Sequence, residues 1–117
     1  LEKITGKQEA ESSDTIRQRV IAARNIQTNR FKNYPGIHCN AQMNPAMIKK
    51  FCVLNEQCIN LLKLAMQKFG LSARAYDRII KLSRTIADLA ASPDITPQHI
   101  AEAIQYRSLD KENWGMH

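Results

Sequence analysis

Apolar and polar positions recur with helical spacing through most of the chain, and most clearly between Gly70 and Arg107. In that stretch Tyr76, Ile79, Ile80, Ser83, Ile86, Ala87 and Ala90 fall on one face at about 100° per residue, and Ser72 is placed to cap the helix they define. Arg74, Arg78, Lys81, Thr85 and Asp88 are expected on the opposite face. A second helix follows, with Thr96 as N-cap, Pro97 at the first helical position and Ile95 able to fold against Ile100 as a hydrophobic staple. Its apolar stripe is narrow, made of Ile100, Ala103 and Ile104, while Gln98, Glu102 and Gln105 face water.

The same pattern extends upstream. Ser13 to about Lys32 reads as a helix capped by Ser12 or Ser13, with Ile16, Val20 and Ala23 in a stripe surrounded by Arg17, Arg19, Arg24 and Arg30. Lys32 to Asn44 is turn-rich, holding Tyr34-Pro35-Gly36 and Asn40. Asn44 and Pro45 then start a short helix through Phe51. Asn55 to Phe69 is a longer helix in which Cys58, Leu62, Ala65 and Phe69 share a face widened by Leu61 and Met66. Gly70 stops it and Leu71 can close the C-terminal contact. Met43, Met47 and Met66 are expected as core filler. Strand-like alternation is scarce, so the fold class is all-α: a small bundle of about five helices with a basic N-terminal linking helix.

Size and charge add limits. The 117 residues, with four glycines and four prolines, make one domain able to close a modest core. A net charge of +6 permits contact with polyanions without defining a site. Cys39, Cys52 and Cys58 include no C-x-x-C pair, which points to reduced thiols and to small buried hydrophobes rather than a disulfide framework. Together with His38 their spacing matches none of the usual structural zinc patterns, so no metal ligands are assigned. There is no apolar run of membrane-spanning length, and a chain that begins at Leu1 reads as a piece of something longer. A cytoplasmic location is expected.

Catalytic chemistry is not visible. Thr5-Gly6-Lys7 lacks the second glycine of a phosphate loop, so the chain carries no nucleotide loop of its own. His38, His99 and His117 are scattered, and no nucleophile, base and orienting acid stand in a triad order. One residue breaks a local rule: Arg74 puts a cation in a first helical turn, where the macrodipole disfavours it by roughly 0.3–1 kcal/mol. Such an exception fits either a solvated surface arginine or a position kept for function. The arginines of the first helix have the same two readings, since their stems can shield an apolar stripe and their planar forks can pair with carboxylate or phosphate.

The strings SSDTIRQRVIAARNIQTNRF, the Asn40-Ala41 loop, GLSARAYDRIIKLSRTIADLAAS and ITPQHIAEAIQYR closely resemble the C-terminal region of the magnesium-chelatase-like AAA+ ATPases of bacteria, the ComM/YifB competence family, from about Glu11 to Arg107. The looser S/T-x-R followed by an apolar helix is similar to the lids of magnesium chelatase and the MCM helicases. The resemblance implies a C-terminal lid over 12–107 (linking helix 12–32, bundle 45–107), while 1–11, polar and without periodicity, read as a mobile lead-in and 108–117, also without periodicity, as a frayed tail. It implies that Arg74 is the second sensor on nucleotide phosphates, that Arg17, Arg19, Arg24 and Arg30 contact the ATPase core or a partner, and that ATP and magnesium belong to the full-length protein; Arg78, Lys81 and Arg84 carry no such role and are expected as surface charges. Its implied partners are the protein's own AAA+ core and neighbouring subunits of a hexameric ring, with DNA as a further partner in branch migration during natural transformation. The fragment alone is not expected to be an enzyme. A helical DNA-binding module, and the lid of a magnesium-chelatase subunit in tetrapyrrole synthesis, are the alternatives.

Overall fold

Short polar side chains start most of the helices. In the computed structural model, which describes the backbone of residues 13–115 and the side chains of residues 13–106, the elements are α1 (Ser13–Arg30), a short 3₁₀ helix (Asn40–Gln42), α2 (Pro45–Phe51), α3 (Glu56–Phe69), α4 (Ala73–Leu89) and α5 (Pro97–Gly115). Among the described residues there is no strand. Asn44 accepts from the Met47 N–H at 2.9 Å, Asn55 from Cys58 at 2.8 Å and Ser72 from Ala75 at 3.2 Å, so each cap satisfies a helix-start donor that would otherwise lack a partner. At α5 the cap is reciprocal. The Thr96 N–H donates to Nδ1 of His99 at 3.0 Å, and the His99 N–H reaches back to the Thr96 hydroxyl at 3.4 Å. His99 thus stands where a glutamate completes the usual capping box.

The helix ends follow chain chemistry as well. Gly70 closes α3 with left-handed backbone (φ 59°), and Leu71 donates to the Met66 carbonyl at 3.2 Å while packing on the core. α4 ends with the same 6→1 bond, Ser92 N–H to Ala87 O at 2.8 Å, and adds a 5→2 bond, Ala91 N–H to Asp88 O at 3.0 Å. The left-handed position here is Ala91 (φ 56°), an arrangement that costs a residue with a Cβ about 1 kcal/mol. α1 stops at Arg30 because Phe31 turns inward. There it meets Tyr34 and Phe51 edge-on, with ring centroids 6.4 and 5.6 Å away.

α4 is the central element. It packs on α5, α1, the 3₁₀ helix and α2, while α3 packs on α5. Ile79, Ile80, Ala87, Leu62, Ile100 and Ala103 form the heart of the core, joined by Met43, Met47 and the staple residue Ile95. No helix of the described residues is long and apolar enough to cross a membrane.

Four expectations need correction. Ala90 is exposed rather than core, because it lies in the turn that ends α4. Asp88, assigned to the water face, is buried, and so is Arg84, assigned to the surface; both flank the apolar arc, where other parts of the fold cover them. The tail after Arg107 was expected to lack structure, yet α5 runs on to Gly115, since no glycine or proline interrupts residues 108–114. The lead-in over 1–11, Ser12 as a cap and the side chain of His117 lie outside the described residues.

Cys52 and Cys58 are core residues, and Cys39 is half-buried. Burial pushes the Cys52 thiol from 9.0 to about 11, outweighing the opposite pull of Arg84 and Arg30. Because the folded form holds its proton longer, this thiol's contribution to stability is complete below pH 9 and is lost as pH rises towards about 11. In the native chain a thiol reagent at pH 8 is expected to label Cys39 first, with Cys52 and Cys58 reacting only on unfolding; mass spectrometry of peptides from a labelling time course checks the order.

Candidate functional site

Arg74 occupies the second position of α4, directly after the Ser72 cap and Ala73. Ser72 accepts from the Ala75 N–H, and the Tyr76 N–H is the first to find a backbone acceptor, the Ser72 carbonyl at 3.0 Å. Helix geometry therefore leaves the Ala73 and Arg74 amides without intrahelical acceptors. The Arg74 side chain is exposed and makes no hydrogen bond or ion pair among the described residues. No acidic residue lies in the first turn. A guanidinium, free amides and the positive end of a helix thus meet at one exposed point, which has the chemistry to receive an anionic oxygen.

The four arginines of α1 do not share one environment. The helix docks through its C-terminal half, where Ala23 and Gln27 are buried. Its N-terminal half stands away from the bundle, leaving Ile16, Val20 and Ile21 exposed by 52%, 38% and 48%. Arg17, Arg19 and Arg24 are exposed along the helix. Arg30 instead turns inward, its side chain 12% exposed, and forms a two-pronged pair with Asp88, Nη1 to Oδ2 and Nη2 to Oδ1, both at 2.8 Å. It also donates to Asn40 Oδ1 at 2.8 Å.

Asp88 is the centre of this second constellation. Besides Arg30 it accepts from Asn40 Nδ2 at 2.9 Å and pairs with Arg84 Nη2 at 3.1 Å. Asn40 is itself buried, donating through its backbone N–H to Gln27 Oε1 at 3.0 Å and through Nδ2 to the Thr85 hydroxyl at 3.1 Å. Arg84 extends the network to the α4–α5 connection, donating to the carbonyls of Ser92 at 2.8 Å and Pro93 at 3.1 Å. Gln27, Arg30, Asn40, Arg84 and Asp88 therefore tie α1, the 3₁₀ helix, α4 and the following loop together. Sequence reasoning missed this group. Its one local signal was the i,i+4 arginine–aspartate pair beside an apolar arc.

The two constellations are separate. Arg74 and Asp88 stand 14 residues apart in one helix, about 21 Å along its axis. Among the described residues no three histidine, cysteine or acidic side chains gather where they could hold a metal. His99 is committed to capping α5. What the described surface offers is a cationic helix start with the chemistry to receive an anion and a partly uncovered helix.

Comparison with known proteins accounts for the whole bundle. Residues 10–107 match the family described as magnesium chelatase, subunit ChlI C-terminal. The chain is 42% identical over 101 residues to YifB of Escherichia coli and 40% identical over 101 residues to YifB of Salmonella typhimurium, in each case covering 86% of this chain and 19% of the relative. It is 41% identical over 99 residues to the competence protein ComM of Haemophilus influenzae, covering 85% of this chain and 18% of that protein. The chain thus spans less than a fifth of the length of these relatives.

The two constellations predict opposite responses to substitution. Asp88→Asn leaves two buried guanidiniums without their counter-charge and is expected to cost about 3–5 kcal/mol, measured by urea denaturation of the chain. Arg74→Ala removes an exposed side chain without partners and is expected to change stability by no more than about 0.5 kcal/mol.

Proposed function

The chain belongs to the magnesium chelatase subunit ChlI C-terminal family, and on that premise we propose that it is the helical lid of a magnesium-chelatase-like AAA+ ATPase, with Arg74 as the residue that meets nucleotide phosphate. The observation that carries this reading is the combination at the start of α4: an exposed arginine without partners, two free amides and no acidic side chain in the first turn. A phosphate oxygen supplies the negative charge that makes a first-turn cation favourable. Nucleotide bound by an ATPase module in the longer protein would then hold α4, and the bundle built on it, in one orientation. Loss of the terminal phosphate would release it.

In this reading α1 is the joint. The exposed Ile16, Val20 and Ile21, with Arg17, Arg19 and Arg24 around them, suit packing against the ATPase module or a neighbouring subunit. Arg30 anchors the far end of the helix to the bundle through Asp88, so a movement of α4 would be passed to α1 rather than absorbed between them. ATP and magnesium would belong to the longer protein. Likeness to a protein named for competence supports a part in that process, and work on DNA, including branch migration in natural transformation, by an assembled ring in the cytoplasm belongs to the same proposal. A helix-turn-helix reading has less support, because residues 90–96 separate α4 from α5 whereas that motif uses a turn of about three or four residues.

The test is Arg74→Ala in the full-length protein. ATP turnover is expected to fall by roughly tenfold or more, as for loss of one charge-assisted hydrogen bond to phosphate, with the bundle still folded. Unchanged turnover together with unchanged ring assembly, followed by sedimentation in the presence of ATP, would remove Arg74 from the mechanism.

A further inference from the structure

At the other end of α4 a cleft of about 280 Å³ opens beside the Asp88 network, walled by Arg30, Lys50, Phe51, Arg84, Pro93 and Ile95. Its charges do not balance. Asp88 is fully engaged, its two oxygens taking both prongs of Arg30, one of Arg84 and the Asn40 amide. Two guanidiniums therefore share one carboxylate. Lys50 on the wall adds a third cation, whose ammonium lies 5.5 and 5.4 Å from the ring centres of Tyr34 and Phe51 and donates to the Tyr34 hydroxyl at 2.8 Å. The remaining acid, Asp94, is exposed at the lining and makes no ion pair among the described residues. Even when Asp94 is counted, one positive charge is left over.

Arg84 carries a second irregularity. The residue is 4% exposed, and Nη1 and Nη2 are occupied by the Pro93 and Ser92 carbonyls and by Asp88. Its Nε is buried and has no hydrogen-bond partner. An unmatched buried donor of this kind costs about 1–3 kcal/mol, and more when it belongs to a charged group. Surplus positive charge and an unsatisfied guanidinium donor at one recess call for an acceptor that the described chain does not supply.

We propose that this cleft is an oxyanion site that takes one phosphate-sized inorganic anion against Arg30, Lys50 and Arg84. The size suits the ligand: about 280 Å³, just below the roughly 300–1,000 Å³ of pockets that enclose drug-sized molecules, is room for a small tetrahedral anion. The charges of Arg30, Arg84 and Lys50 attract it, and the unpaired Nε–H of Arg84 is the donor left to meet one of its oxygens. The bound anion neutralises the surplus charge. This site is independent of Arg74, which stands 10 residues away along the helix, about 15 Å along its axis.

Titration of the chain with inorganic phosphate tests the proposal, with sodium chloride at matched ionic strength as the screening control and the Arg84 Nε–H resonance followed by ¹H–¹⁵N correlation. The expected result is a saturable shift with phosphate and none with chloride. Lys50→Ala, an exposed position, is expected to keep the fold and weaken phosphate by roughly fivefold, the contribution of one partly exposed charge. Arg74→Ala is expected to leave the titration unchanged, which separates this site from the nucleotide role. A chloride response equal to that of phosphate, a shift that never saturates, or indifference to Lys50→Ala would each overturn the site.

Discussion

The carboxylate of Asp88 is the constraint on which the arrangement of this domain depends. It is buried, and a buried carboxylate is tolerated only where donors replace the water it has lost. Arg30, Arg84 and Asn40 provide those donors from three separate parts of the chain. The pairing with Arg30 joins residues 58 apart in sequence, and that with Asn40 joins residues 48 apart. Hydrophobic burial alone would let α1 slide or rotate over α4 at small cost. A two-pronged guanidinium–carboxylate pair fixes both distance and angle, so the network supplies the register that apolar packing leaves loose.

That register bears on function because α1 touches the bundle so sparingly. Only Ala23 and Gln27 of the helix are buried, and its N-terminal half carries exposed isoleucine and valine side chains. A helix held by so little apolar surface needs a polar clamp to keep its direction. The clamp grips α4 near its C-terminal end, and Arg74 stands at the other end of the same helix. Under the proposed function, a continuous helix with a cationic start and a clamped finish would work as a rigid lever. Force applied at one end would be delivered at the other without a flexible step between.

The parts legible in the sequence are those decided by neighbours in the chain. Asn44, Ser72 and Thr96 cap helices from one position before them, and Gly70 stops one from the position after, so propensity and spacing were enough. Arg74 was visible because it breaks a local rule. The Asp88 network was not visible, since its partners meet only after the bundle has closed and each of its charged members, taken alone, looks like an ordinary surface residue. Asn40 illustrates the difficulty. In sequence it is a turn residue, and in the fold it is almost wholly buried, with its backbone amide and both side-chain functional groups in hydrogen bonds. The continuation of α5 to Gly115 was missed for another reason: loss of apolar periodicity marks the end of a buried face, which need not be the end of a helix.

Arg84 links the clamp to Ala91, the one non-glycine residue with positive φ among the described residues. α4 ends with Ala91 in the left-handed region at φ 56°, where glycine would be at ease and alanine is not. The turn that Ala91 makes presents the Ser92 and Pro93 carbonyls to the Arg84 guanidinium, which also holds Asp88 one turn further along its own helix. A guanidinium that bridges a carboxylate and two loop carbonyls resists any unwinding of the last turn of α4, and this offsets the strain at Ala91. The same commitment leaves its Nε without an acceptor. The stiffness of the last turn of α4 and the unmet donor beside the cationic cleft are therefore two consequences of one side chain, placed where helix, clamp and loop converge.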